Sequence, residues 1–187
     1  MRNLGLSMHA ESPEIVVEKI ERAFSQVQFP GLNNLVIGNR NDDEVIGTKL
    51  VFERITNWHS VDPLILDTAP DGLASALSFF SPIGFHFFIP AFMIADLMGK
   101  LRSVDPTFFL CIHLTELKTP DGVTLETDLN RKFPNEAVER LSAFNREQCK
   151  AIASYLTVIA LRCDDDCALE CASLWETMGR TRSVPAN

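Results

Sequence analysis

The chain has 187 residues, a formal net charge of −8 and 46% hydrophobic residues. This length suits one domain with a sizeable core. The acidic balance argues against a nucleic-acid-binding surface, which needs clustered Lys and Arg, and leaves room for a protein partner with a basic surface. Five scattered cysteines and an N-terminus without an apolar signal region favour a reduced, cytoplasmic setting.

The first predicted element is a docked surface helix. Residues 1–11 are expected to form a tail, and Ser12-Pro13 begins the helix, because serine caps free amides and proline suits the first turn. Apolar residues then recur with helical spacing at Val16, Ile20, Ala23, Phe24 and Val27. The other faces carry Glu14, Glu18, Glu21 and Arg22. Pro30-Gly31 is predicted to end the helix.

The next segment has a weaker pattern. Asn41 and Glu44 match a capping box and predict a helix over 42–58. The alternation of Thr48, Leu50 and Phe52 leaves a strand open as the alternative. Residues 59–70 contain two prolines and are expected to be extended or turning.

Residues 73–99 form the centre of the predicted fold. They hold six of the thirteen phenylalanines and one formal charge, Asp96. Ser81-Pro82 divides the run into a short helix over 71–80 and a longer one over 82–98, and Gly99 suits the C-terminal end. Each half is too short to cross a bilayer comfortably, so no membrane span is predicted. Apolar side chains all round the second helix predict that it is buried.

Pro90 lies inside this helix, where it removes a backbone donor and predicts a kink near His86. A kinked aromatic helix that carries His86 and Asp96 suggests a pocket. The simpler interpretation makes His86 a satisfied boundary residue and pairs Asp96 with Lys100 one turn later.

The region after the central helix allows two interpretations. Residues 108–117 and 123–129 favour a small β-hairpin around the turn Thr119-Pro120-Asp121-Gly122, whereas Asp105-Pro106 is also able to begin a helix. Farther on, Asn135 begins a short helix to Phe144.

Two longer helices are predicted at the C-terminal end. Asn145 and Gln148 form a capping box for a helix that continues to Arg162. Its predicted inward residues are Cys149, Ile152, Leu156, Ile159, Ala160 and Cys163. Asp164 to Asp166 begin the last helix. Its predicted inward residues are Cys167, Cys171, Leu174, Trp175 and Met178. Residues 181–187 are expected to form a tail.

The string FFSPIGFHFFIPAFMIADL resembles the aromatic block of a family of small bacterial proteins described only as a domain of unknown function. Members carry a block of the form Phe-Leu-Ser/Thr-Pro-x-x-Phe-x-Phe/Tyr-x-x-Pro-Ala-Phe/Tyr-Met. The weaker similarities are at Ala23-Phe24, Trp58, Lys132-Phe133, Gln148 and Ala151-Ile152. The resemblance covers most of residues 15–160 and implies a shared fold without implying an activity.

Motifs for catalysis or cofactor binding are missing from the sequence. It has no His-Glu-x-x-His pair, no Gly-x-Ser-x-Gly elbow and no glycine-rich phosphate loop, so no cofactor or catalytic residue is predicted. His59, beside Trp58, has the most catalytic-looking neighbourhood. Cys163, Cys167 and Cys171 recur every four residues, which a continuous helix would stack on one side; a metal site is the alternative to core packing, and no metal ligand is predicted.

These observations predict a mainly α domain over residues 12–180, with six or seven helices packed around the buried helix 82–98. The leading hypothesis for its function is a non-enzymatic, immunity- or scaffold-like protein that binds a basic protein partner. The aromatic surplus suggests Phe85, Phe92 and Met93 as partner contacts. The alternative is a small-ligand-binding protein or hydrolase with a pocket near the Pro90 kink. The candidate site residues are therefore His86, Asp96, Phe85, Phe92, Met93 and His59.

Overall fold

A computed structural model describes residues 11–37, 42–70, 75–112, 114, 118–119, 122–123 and 135–181. The α-helices of these ranges are α1 (Pro13–Phe24), α2 (Asp43–Phe52), α3 (Pro63–Thr68), α4 (Pro82–Leu97), α5 (Pro106–Cys111), α6 (Asn135–Ser142), α7 (Arg146–Cys163) and α8 (Asp166–Thr181). Short 3-10 turns occur at Leu32–Asn34, Trp58–Ser60 and Ala76–Ser78. Lys118–Thr119 (β1) pairs antiparallel with Gly122–Val123 (β2). The predicted mainly α, single-domain fold is confirmed.

Helix α4 is buried, as its apolar composition predicts. The Ser81 hydroxyl accepts a hydrogen bond from the Gly84 amide at 3.0 Å, Pro82 occupies the first turn, and Pro90 lies in the interior of the helix. Gly99 follows the helix with a φ of +66°, the left-handed conformation expected of its end. The α4 phenylalanines are at most 1% exposed: Phe85, Phe87, Phe88 and Phe92.

Three phenylalanine rings from separate elements form the centre of this core. Phe52 of α2 makes edge-on contacts with Phe80 and Phe88, at centroid distances of 5.0 and 4.9 Å. Phe80 and Phe88 stack on each other at 4.9 Å. These geometries are the favoured arrangements of aromatic pairs and add to the stabilisation from burial.

The segment Leu35 to Ile37 passes close to the first turn of α4. The Ser81 amide donates to the Leu35 carbonyl at 3.1 Å, and the Ile37 amide donates to the Phe79 carbonyl at 2.8 Å. A Cβ atom on Gly84 would lie 2.1 Å from the Leu35 carbonyl oxygen. Only glycine therefore fits at this position of α4.

The other helices cover α4 from several sides. α1, α6 and α7 contact it directly, whereas α8 packs mainly against α7 and α5. The predicted capping box of α7 is confirmed, because the Asn145 side chain accepts from the Gln148 amide and the Gln148 side chain accepts from the Asn145 amide. No helix within the described ranges combines the length and the apolar character needed to cross a membrane.

Two predictions about the first half of the chain are wrong. The helix predicted over 42–58 ends at Phe52, and its cap is Asp42, whose carboxylate accepts from the Glu44 amide at 3.2 Å. Residues 59–70 are not simply extended, because Asp62 caps α3 by accepting from the Leu64 amide at 2.9 Å. A proline in the first turn follows the cap here, as it does in α1 and α4.

The strand favoured over residues 108–117 is also wrong in its first part. The Asp105 carboxylate accepts from the Thr107 amide at 2.9 Å and begins α5, which was the alternative. The residues that flank the predicted turn pair antiparallel, Lys118 with Val123 and Thr119 with Gly122. The predicted inward positions of Cys163 and Cys167 are wrong, since both residues are exposed. Asp164, with a φ of +56°, ends α7 between them.

Some predictions fall on other parts of the chain. The predicted tails, apart from Glu11 and Thr181, and the similarity at Lys132-Phe133 lie outside the described residues.

Candidate functional site

The three predicted apolar contact residues lie in the core. Phe85 is 1% exposed, and Phe92 and Met93 are fully buried. A partner therefore has no access to them while the domain is folded, and their role in this structure is packing. Most of the phenylalanines that the structure describes are likewise buried.

His86 is held at the junction of α4, α1 and α7. Its Nε2 atom lies 3.0 Å from the Gln148 Oε1 atom, which also accepts a hydrogen bond from the Asn145 amide at 2.9 Å. Because a carbonyl oxygen only accepts, Nε2 of His86 carries the proton. The imidazole packs against Phe24 and Phe144 at centroid distances of 5.9 and 5.0 Å. Burial lowers the pKa of His86, which keeps the ring neutral.

Asp96 occupies a different polar cluster near the C-terminal end of α4. Its carboxylate accepts a 2.6 Å hydrogen bond from the Tyr155 hydroxyl, which lies 3.2 Å from the Thr107 hydroxyl. The Arg162 guanidinium donates to the Asp96 and Leu97 carbonyls at 3.3 and 3.1 Å. Burial raises the pKa of Asp96. The predicted pairing with Lys100 is wrong, because Tyr155 is the partner of the carboxylate.

The structure does not bring His86 and Asp96 together in one pocket. Gln148, in the first turn of α7, binds the histidine, whereas Tyr155 binds the aspartate from a position two turns farther along the same helix. Each polar group is thus satisfied by its own neighbours. The arrangement offers no acid–base pair with a shared space for a substrate.

Two predicted site residues border open pockets: His86 lines one together with residues of α1 and Gln148, and His59 lines another. The His59 imidazole stacks on Trp58 with 3.5 Å between ring centroids, and its Nδ1 atom lies 3.1 Å from the Asn57 side-chain oxygen. The pocket at His59 has a volume of about 300 Å³. This pocket, the α4 pocket, is bordered by Ala91, Ile94, Ala95 and Met98. It therefore begins one residue after Pro90.

The α4 pocket combines an apolar floor with a charged rim. Leu66 and Ala95 are buried, whereas Met98 is 53% exposed. Glu21 of α1 and Lys100 contribute charged side chains to the lining. Such a hollow has the size and the composition of a site for one large apolar side chain or a small ligand.

An acidic row leads along α1 to this pocket. Glu14, Glu18 and Glu21 are all exposed and recur at spacings of four and three residues, which places them on one face of the helix. None of the three forms an ion pair within the described part of the chain. Because Glu21 also lines the α4 pocket, the acidic row and the pocket form one continuous surface.

The described residues contain no group of three or more His, Cys, Asp or Glu side chains arranged to hold a metal ion.

Comparison with known protein families gives one match, which spans residues 14–176 and therefore runs from the start of α1 into α8. The chain belongs to DUF6714, a family of unknown function. The DUF6714 match contains the acidic row and every residue of the α4 pocket. No curated protein and no solved structure matches the chain.

The sequence predicts His59 as a site residue but carries no signal for the pocket beside it. The spacing of Glu14, Glu18 and Glu21 is a readable signal for an acidic face, although the prediction above places these residues only on the polar side of α1. Lys100 and Leu66 carry no such signal, because only the tertiary fold brings them to the same hollow as Glu21.

Proposed function

We propose that this protein is a non-enzymatic interaction protein of the cytoplasm, with an immunity- or scaffold-like role. It binds a basic segment of a protein partner through the acidic row and the α4 pocket. The observation that carries the proposal is the position of Glu21, which belongs to both surfaces. A negative row that ends at an apolar hollow is complementary to a segment with several Lys or Arg residues and one large apolar side chain.

The two parts of this surface contribute differently to binding. An exposed ion pair contributes only about 0.2–1 kcal/mol, so the acidic row chiefly speeds association and sets the orientation of the partner. The net charge of −8 adds to the attraction of a basic partner. An apolar side chain that is fully buried in the α4 pocket contributes about 1.5–3 kcal/mol and supplies most of the affinity.

Affinity capture with matched variants tests this proposal. The wild-type protein, a triple variant (Glu14→Gln, Glu18→Gln, Glu21→Gln) and the pocket variant Met98→Glu are used as baits. The control changes three exposed acids elsewhere, Asp43→Asn, Glu139→Gln and Asp166→Asn, and alters the net charge by the same amount.

We expect one basic protein to bind the wild type and the control, and to lose more than about tenfold in affinity for either site variant, measured with the purified partner. Its binding is also expected to weaken as salt rises from about 50 to 300 mM. Equal binding to the wild type and the triple variant would contradict the proposal, as would the absence of a basic partner.

A small-ligand-binding protein is the second candidate, because the α4 pocket lies immediately after Pro90 and presents both apolar and charged side chains. A screen of small apolar carboxylic acids by thermal shift distinguishes it. Stabilisation of the wild type and not of Met98→Glu, without a protein partner, favours this candidate over the first.

A further inference from the structure

Three cysteines from two helices meet at the contact between α5 and α8. Cys111 is the last residue of α5 and is half-buried, Cys171 is buried in α8, and Cys167 lies one turn before Cys171 and is exposed. The Cys171 side chain interacts directly with the thiols of Cys111 and Cys167. This thiol cluster differs from the predicted row, since the turn at Asp164 separates Cys163 from α8 and Cys111 joins instead.

A hydrogen bond between the same two helices fixes the position of the thiols. The Trp175 indole donates to the Leu110 carbonyl at 3.0 Å, and both residues are at most 1% exposed. Trp175 lies one turn after Cys171, and Leu110 immediately precedes Cys111. This buried bond therefore holds α5 and α8 in one register beside the thiol cluster.

The surroundings distinguish the thiols chemically. Interaction with Cys111 is the largest cause that lowers the pKa of Cys171, and the same contact together with burial raises the pKa of Cys111. A thiolate beside a thiol is the arrangement from which disulfides form, because the thiolate is the reactive nucleophile.

We propose that Cys111 and Cys171 are a redox-active pair that a peroxide oxidises to a disulfide between α5 and α8. The reaction consumes one hydrogen peroxide. Both S–H bonds and the O–O bond break, one S–S bond forms, and two water molecules leave. The two sulfur atoms together lose two electrons, which the peroxide oxygens gain, and the two thiol protons end in the water. This inference is independent of the proposed binding function.

Peptide mapping of the oxidised full-length chain tests the pair. The reduced protein is treated with increasing hydrogen peroxide, remaining thiols are alkylated, and peptides are separated without reduction for mass spectrometry. We expect two of the five thiols to become protected together, with Cys111 joined to Cys171, and dithiothreitol to restore both. The same treatment of guanidinium-unfolded protein is expected to lose this selectivity.

Single variants separate the pair from the other cysteines. Cys163→Ser, which changes an exposed thiol outside the cluster, and Cys167→Ser are both expected to retain the Cys111–Cys171 bond. Cys111→Ser is expected to abolish it while its circular dichroism spectrum matches that of the wild type. Five alkylatable thiols after oxidation of the folded wild type would overturn the proposal. So would a predominant bond between any other two cysteines.

Discussion

The two ends of α4 are stabilised by different physical means. Its first turns pack through shape, because Gly84 lies against the Leu35 carbonyl and Phe88 stacks on Phe80. Its last turn is held by polar contacts, because Tyr155 donates to the Asp96 carboxylate and Arg162 binds the terminal carbonyls. The same helix thus depends on close packing at one end and on complete hydrogen bonding at the other.

This difference indicates which changes each end tolerates. Any change of side-chain volume in an aromatic core lowers stability, because the rings are already in van der Waals contact and have no room to rearrange. A half-buried carboxylate tolerates changes that keep its donor and is destabilised by the loss of that donor. Changes of comparable chemical size are therefore expected to be more costly at the first end than at the last.

The largest effect is expected for Gly84→Ala. The added Cβ atom would lie 2.1 Å from the Leu35 carbonyl oxygen. The segment Leu35 to Ile37 must therefore move away and lose its hydrogen bonds to Ser81 and Phe79. We expect a loss of about 4 kcal/mol or more in the free energy of unfolding, or no folded protein, as measured by urea denaturation.

Gly47→Ala is the matched control, because Gly47 also lies within a helix and its added Cβ atom would meet only the Pro70 Cβ atom, at 3.1 Å. It is expected to change stability by less than about 1 kcal/mol. Similar stabilities for the two variants would show that the close approach at Gly84 is not a constraint.

Phe88→Ala is expected to rank second. Phe88 is fully buried and contacts both Phe52 and Phe80, so its removal leaves a cavity among rings that have little freedom to close it. The expected loss is about 3–5 kcal/mol in urea denaturation. Phe108→Ala, at a ring that is 55% exposed, serves as the control and is expected to cost much less. Equal losses for the two variants would contradict the central position of Phe88.

At the opposite end, Tyr155→Phe keeps the ring and removes the donor to Asp96. The carboxylate then remains half-buried without its 2.6 Å hydrogen bond, and the expected loss is about 1.5–3 kcal/mol by thermal or urea denaturation at pH 7.

Asp96→Asn sharpens this result, because the amide oxygen still accepts from Tyr155 while the buried charge disappears. Burial raises the pKa of Asp96 above its usual 3.8, so the stability from this group is highest at low pH and falls as pH rises through the folded-state pKa. The asparagine variant is expected to lack this pH dependence and to cost less than Tyr155→Phe at pH 7. A greater loss for Asp96→Asn would show that the carboxylate charge itself is stabilising.

The smallest effect is expected at His86, in the first turns of α4. It is a dependence of the free energy of unfolding on pH. Burial lowers the pKa of His86 below its usual 6.5, so the unfolded chain binds a proton there more readily than the folded domain. Stability is expected to be full above about pH 6.5 and to decline as pH falls towards the lowered value. Between pH 7.5 and 5.5, the melting temperature of His86→Asn is expected to fall less than that of the wild type. An identical fall in both proteins would exclude His86 as a source of the pH dependence.

The sequence predicts the parts of this fold that local chemistry determines. The Ser-Pro caps of α1 and α4, the all-round apolar character of α4 and the capping box at Asn145 are properties of neighbouring residues. The two prolines of residues 59–70 predict an extended or turning segment, whereas Pro63 lies in the first turn of α3, a position that suits proline.

The candidate sites depend more on tertiary contacts. Nothing near Cys111 in the sequence indicates that it meets Cys171, and nothing near Lys100 indicates that it shares a pocket with Glu21. The sequence neighbourhood of His59 alone predicts it as a site residue, and that role stays a prediction. The hydrophobicity of the helix predicts that Phe85 and Phe92 are buried, whereas partner contacts require exposed side chains, which neither residue has.

One buried carboxylate fixes the path of the chain after α4. A single oxygen of Asp67 in α3 accepts from the amides of Arg102, Ser103 and Val104, at 2.8, 2.8 and 3.2 Å, and these bonds keep its pKa low despite burial. The path between α4 and α5 is thus dictated by a residue that precedes it by 35 positions. A fragment that begins at Pro82 would lack Asp67 and its three hydrogen bonds. The segment between α4 and α5 would then have no fixed path to bring α5 against α8.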